Sequence, residues 1–442
     1  MNSSPQTLAR DGELVPRGMR VPFVLVTALF FLWAIPNNLN DVLIQHFMKS
    51  FEMSRFGAAF VQFYFFFGYF LMAIPAALLM RRTSYKTGFV VGLCLYACGA
   101  FMFWPAAHAG SYQFFLVALF VIACGLSFLE TASNPFVAQL GDPATSERRL
   151  NFAQAFNPIG SITAALIGTV FIFSGVELSG DQVATLKHDG MYQAYLRVET
   201  LRVVKPYFVI GAVALLWAGL ILITKFPKIQ SEHEEASGPE EHGHFSELLK
   251  FPYFWLAVLA QFLYVGAQVG TWSYLITYFH DYAHVAEKAA GYYLTGSLVA
   301  FMVGRFVATA LMGVVQPRLL MGVYSVINVA LVLVGVIAPG WIGAWTLLLS
   351  SFFMSLMFPT IFALGLKGLG PNTKIGGSLL VMSIVGGAVF PLLMGFISDR
   401  MHSLALAYIV PLLAYAYIAM YSFAFAGPRQ GDAGGVRAAR AA

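Results

Sequence analysis

Asp41 and Glu130 stand inside long apolar stretches of a 442-residue chain. Of its 21 acidic residues, these two are the ones the hydrophobic pattern places within a span, and among 26 basic ones Arg305 alone lies away from a span's end. A charge in hydrocarbon is costly, so such groups face a cavity or a partner and mark the paths of ions and protons. A carboxyl that takes up and gives back a proton is suited to proton coupling, the role expected of Asp41 and Glu130. Arg305, next to Gly304, is expected to belong to an intramembrane ion network.

Neutral polar groups gather around the acids at helical spacing. Asn37, Asn38 and Asp41 share one face of the first span with Trp33 a turn earlier. Ser127, Glu130 and Asn134 do so in the fourth, and Gln154, Asn157 and Ser161 in the fifth. Gln261, Tyr264, Gln268 and Trp272 do so in the seventh. Amides and hydroxyls bond the hydroxyls of a sugar, and aromatic rings stack on its apolar faces. Such groups also tie helices together, but four faces in one chain point to a cavity for a small polar solute. The expected substrate-binding residues are Trp33, Asn37, Asn38, Glu130, Asn134, Gln154, Asn157, Gln261, Tyr264 and Gln268. Pro36 predicts a kinked or broken first span, the usual backbone of a transport site.

The elements that must hold these groups are membrane helices. Hydrophobic residues make up 59% of the chain and charged ones 11%, against roughly 25% charged in a soluble domain. The apolar blocks have the length of roughly 20 residues that a bilayer requires. They fall near 21–46, 56–80, 88–107, 112–139, 152–173, 206–226, 252–279, 290–314, 319–338, 341–366, 376–397 and 404–426. The fold expected is an all-α membrane protein of twelve transmembrane helices in two six-helix halves, 1–226 and 251–442, joined by a polar linker at 227–250. Pro135 and Pro359 each precede a glycine by six residues at matching places in the fourth and tenth spans, as parallel halves would have it. Seventeen lysines and arginines fall on the loops that share a side with both termini and eight on the other loops, so both termini are expected in the cytoplasm.

Other classes find no support in the residues. The net charge of +5 comes from basic residues in short loops, which argues against nucleic acid. Cys94, Cys98 and Cys124 read as small buried packing residues. His233, His242 and His244, with nearby glutamates, read as a solvated connector, so no metal site is expected. Neither a phosphate-binding loop nor a Ser-His-Asp or HExxH pattern occurs, so neither ATP nor enzymatic chemistry is expected. No cofactor is expected either. Gly57, Gly68, Gly125, Gly160, Gly386 and Gly387 are expected where helices pack closely.

The stretches FFLWAIPNNLND (30–41), LMRRTSYKTG (79–88), LETASNPFV (129–137), LNFAQAFNPIG (150–160), AVLAQFLYVGAQVGTWSYLI (257–276) and FPTIFALGLKGLG (358–370) resemble the L-fucose permease family of the major facilitator superfamily. The resemblance runs from about residue 21 to 426. It implies a monomeric sugar–proton symporter of the bacterial inner membrane with the major facilitator fold. It also implies roles in sugar binding and proton coupling for Asp41 and Glu130, and cavity positions for Trp33, Asn38, Gln154 and Asn157. The Asn37–Asp41 run is closer to the fucose branch than to the glucose/galactose branch. Pro36 stands where the fucose branch has alanine, and Phe358 where it has a tyrosine that resembles part of its sugar site. L-fucose is the substrate implied, with glucose/galactose or N-acetylglucosamine transport as the alternative.

Overall fold

The structure, a computed structural model, describes residues 15–140, 149, 152–226, 245–312, 314–367, 369 and 373–425. Helices account for almost all regular structure, and no strand occurs among the described residues. Among the described residues, twelve helices are long and apolar enough to cross a membrane: α1 Arg20–Ser50, α2 Arg55–Met80, α3 Tyr85–Ala109, α4 Tyr112–Asn134, α5 Phe152–Ile172, α6 Tyr192–Ile223, α7 Pro252–Ala283, α8 Glu287–Leu311, α9 Pro317–Ile337, α10 Trp341–Leu366, α11 Leu379–Met401 and α12 Leu404–Ala424.

Local chemistry starts and stops these helices. Hydroxyls of Ser84 and Ser111 accept hydrogen bonds from the backbone N–H groups of Thr87 and Phe114, satisfying donors that the first turns of α3 and α4 leave free. Pro252 and Pro317 open α7 and α9, where a missing N–H costs nothing. Gly110, at φ +62°, ends α3 in the left-handed conformation that suits glycine. Pro36 does not break α1, which continues as one helix from Arg20 to Ser50. α10 is interrupted instead, between Met354 and Met357.

Three sequence expectations are corrected here. The segment 174–205, which the hydropathy pattern leaves between the fifth and sixth spans, contains a helix at Gly180–His188 and the first part of α6, which starts well before residue 206. Glu199 and Glu287 therefore lie in spanning helices and are buried, so Asp41 and Glu130 are not the only acids inside spans. Polar residues mixed with apolar ones at the span ends conceal the continuing helix from a hydropathy reading. Cys94 and Cys98 are exposed on α3, and only Cys124 is buried. The linker 227–244, with its histidines and glutamates, lies outside the described residues.

Packing divides the chain into two compact units. The first comprises residues 1–38, 71–164 and 203–232; the second, residues 39–70, 165–202 and 233–442. Within the first, a Cβ on Gly125 of α4 would stand 2.5 Å from the Gly92 carbonyl of α3, and one on Gly160 of α5 would stand 2.4 Å from the Phe31 carbonyl of α1. Only glycine allows these backbones to approach so closely. Within the second, Gly386 of α11 stands against the Phe262 carbonyl of α7, and Gly387 against the Phe66 ring of α2. Gly57 has ordinary contacts only, so the expected close packing does not occur there.

Candidate functional site

In the first unit, the close approach at Gly160 sets the amides of α5 against α1. Asn38 donates to the Ser161 hydroxyl (2.9 Å) and to the Ala34 carbonyl (2.8 Å). Asn157 donates to the Phe30 carbonyl (3.4 Å), and the Ser161 hydroxyl donates to the Asn157 carbonyl (3.3 Å). Gln154 donates to the Asn134 side-chain oxygen (3.2 Å), joining α5 to α4. Asn134 in turn donates to the Glu130 carbonyl one turn back (3.2 Å). Trp33 is buried with its ring 4.4 Å from that of Phe30, while Asn37 and Glu130 are half-buried. The faces read from α1, α4 and α5 are thus joined in pairs through α5, to α1 by Asn38 and Asn157 and to α4 by Gln154.

The second unit holds Asp41, whose side chain is buried. One carboxylate oxygen, Oδ1, accepts two hydrogen bonds, from Gln62 Nε2 of α2 (2.8 Å) and from the Ser273 hydroxyl of α7 (3.0 Å). No salt bridge reaches Asp41 among the described residues; its donors are neutral. One turn farther along both helices, the Thr277 hydroxyl donates to Gln45 Oε1 (2.6 Å). Asp41 and Gln45 on α1 therefore face Ser273 and Thr277 on α7 as a ladder of two rungs. The sequence reading missed all of this ladder except Asp41. Its signal was the matched four-residue spacing of polar side chains on the first and seventh spans.

The predicted face of α7 is only partly engaged. Gln261 and Tyr264 are fully buried, yet neither end of the Gln261 amide nor the Tyr264 hydroxyl has a hydrogen-bond partner among the described residues. Buried polar groups are nearly always bonded, and each orphan costs about 1–3 kcal/mol. Such groups are suited to take the hydroxyls of a polar ligand. Gln268 is half-buried on the same helix. The Phe358 ring lies edge-on to Tyr264, 6.3 Å between centroids. Trp272 donates to the Ser351 hydroxyl (3.1 Å) and packs on Phe301. Arg305 stacks its guanidinium 4.9 Å above the Phe301 ring and donates to the Ser355 carbonyl at 3.4 Å. Among the described residues it forms no salt bridge, so it is held by a ring and a carbonyl.

A second charged cluster lies in the same unit. Lys49 Nζ stands 3.6 Å from Glu287 Oε2 and 3.9 Å from Glu199 Oε1, both carboxylates being buried. It also donates to the Val176 carbonyl at 2.7 Å. Nearby, Arg55 pairs with Asp281, and the Asp399 carboxylate accepts from the backbone N–H groups of Arg55 and Phe56, capping the start of α2.

Comparison with known proteins matches residues 23–376 to the Major Facilitator Superfamily model. The chain is 43% identical to the L-fucose-proton symporter of Escherichia coli (strain K12), over 92% of this chain and 93% of the relative. It is 35% identical to the glucose/galactose transporter of Brucella abortus biovar 1 (strain 9-941), over 90% and 92%. A crystal structure of the Major Facilitator Superfamily transporter FucP, in the outward conformation, is similar at a TM-score of 0.67 and 42% identity, covering 92% of this chain and 99% of that one.

Proposed function

The chain belongs to the L-fucose-proton symporter family of the Major Facilitator Superfamily, and on that footing we propose that it carries L-fucose across the bacterial inner membrane together with a proton. The multi-pass architecture is that of the family. Both termini are assigned to the cytoplasm on the basis of the loop charges, with halves 1–226 and 251–442 joined by the linker 227–250. The protein acts as a monomer and needs no cofactor, since the proton gradient drives accumulation.

One observation carries the reading most directly. Asp41 is a buried carboxyl whose donors among the described residues are all neutral, in a chain 43% identical to a proton symporter. With no cation fixing its charge, the group can exchange that charge for a proton during the transport cycle. Sugar hydroxyls are assigned to the amide network of Asn38, Asn134, Gln154 and Asn157 with Glu130, and to the orphaned Gln261 and Tyr264. Trp33 offers a ring face, and Asn37 and Gln268 lie on the same helix faces. Glucose/galactose transport is the second reading, favoured by the 35% identity to the Brucella protein and by the absence of a hydroxyl at Phe358.

Uptake into proteoliposomes with an imposed proton gradient tests both. Labelled L-fucose is expected to accumulate above its external concentration and to lose that accumulation when a protonophore collapses the gradient. Accumulation that survives the protonophore would overturn proton coupling. Accumulation of D-glucose with no L-fucose uptake would replace the substrate.

A further inference from the structure

Gln62 had no place in the sequence reading, yet its side chain is almost wholly buried and is held at both ends. Asn40 Nδ2 donates to Gln62 Oε1 (3.4 Å), and the ionised Asp41 carboxylate, which can only accept, takes the NH2 end of the amide. The other end, Nε2, reaches Asp41 Oδ1 at 2.8 Å and the Ser273 hydroxyl at 3.0 Å. A single amide on α2 thus joins the carboxyl on α1 to the hydroxyl on α7. Polar side chains that only hold two helices together need no carboxylate at the centre and no third helix.

We infer that Gln62, with Ser273, is a positioning residue that ties the charge on Asp41 to the packing of α1 and α2 on α7. The inference rests on Asp41 being the proton carrier. An ionised carboxylate accepts strong hydrogen bonds from both donors. A proton arriving from water on that carboxyl turns one oxygen into a donor and weakens what the group accepts. Two donors from two helices converge on the one oxygen Oδ1, so both attachments respond to the same proton. The Gln45–Thr277 rung one turn away carries no titratable group and is not expected to respond. Gln62 therefore acts on coupling between proton and movement, through Asp41, and does not need to touch the sugar.

The distinguishing readout is the ratio of proton-driven accumulation to sugar exchange without a gradient, measured with labelled L-fucose in proteoliposomes. Gln62→Leu keeps similar bulk and removes the donor, and is expected to lower that ratio about tenfold, the effect of one lost hydrogen bond to a charged group. Ser273→Ala should lower it less, and Ser273→Thr, which keeps the hydroxyl, should restore it. If accumulation and exchange fall together in both variants, the residues are structural and the inference is overturned; an unchanged ratio overturns it equally. Should Gln62→Leu fail to fold, the Ser273→Ala and Ser273→Thr pair decides alone. Asp41→Asn is run beside them. Normal accumulation in that variant defeats the reading of Asp41 and this inference with it. Lost accumulation there, with unchanged ratios at Gln62 and Ser273, defeats this inference only.

Discussion

Two groups of buried carboxyls in the same unit keep opposite company. Asp41 is held by an amide and a hydroxyl, with no cation beside it among the described residues. Glu199 and Glu287 both stand near the Lys49 ammonium, at 3.9 and 3.6 Å. A buried charge beside a cation is stabilised by it, because removing either partner leaves the other uncompensated. Neutral donors only orient a carboxyl and leave it free to change charge. The difference separates a group suited to carry a proton from a cluster suited to hold helices and connecting segments in place.

The sharpest way to break the contrast is Asp41→Asn. It preserves size and much of the hydrogen bonding while removing the exchangeable proton. Sugar accumulation against a gradient should be abolished, while exchange in the absence of a gradient persists in part. Proton-driven accumulation at the normal level in this variant would remove Asp41 from the mechanism.

At Lys49 the effect should appear in stability. Lys49→Met leaves two buried carboxylates with no ammonium beside them, a loss of about 3 kcal/mol once partial exposure of the lysine is allowed for. The thermal midpoint in detergent should fall, and adding Glu287→Gln should recover part of the loss. An unchanged midpoint would show that the cluster is not stabilised as described.

Glu130 lies between the two cases, half-buried on α4 beside the amide network. Glu130→Gln should weaken sugar binding by roughly 1.5–3 kcal/mol, ten- to a hundredfold, the contribution of a hydrogen bond to a charged group. Calorimetric titration checks it at several pH values. Unchanged affinity would assign Glu130 to coupling or to structure.

How much of this was legible in the residues depends on how each one advertises itself. Asp41 stood out because an acid in an apolar span is rare, and the α1, α4 and α5 amides because they repeat at helical spacing. Asn38, Asn157 and Ser161 do meet, as their faces required. Gln62 and Ser273 were invisible because a lone neutral polar residue in a span reads as ordinary helix packing. Glu199 and Glu287 were hidden at span ends, where hydropathy falls while the helix continues. The partners of Lys49 lie 150 and 238 positions away in the chain, and no local pattern encodes a contact of that kind.

The smallest expected effect concerns the sugar itself. Phe358 sits just after the interruption of α10, its ring edge-on to Tyr264 and stacked on Phe362 at 6.3 Å. The Tyr264 hydroxyl and the Gln261 amide on the facing helix have no partners among the described residues. Asp41, with two neutral donors, already has its hydrogen bonds, so a hydroxyl added at 358 acts on the side of the unit where polar groups are still unmatched. Phe358→Tyr supplies that hydroxyl. One added hydrogen bond contributes about 0.5–1.5 kcal/mol, so L-fucose affinity should tighten by a few-fold to roughly tenfold, less if water already fills the role. Competition uptake with L-fucose, D-glucose, D-galactose and N-acetylglucosamine reads the change. If D-glucose or N-acetylglucosamine competes fully and L-fucose does not, in both the natural chain and Phe358→Tyr, the sugar assignment passes to the second reading. If only the variant prefers L-fucose, residue 358 sets the choice of sugar, while the proton machinery around Asp41 serves either substrate.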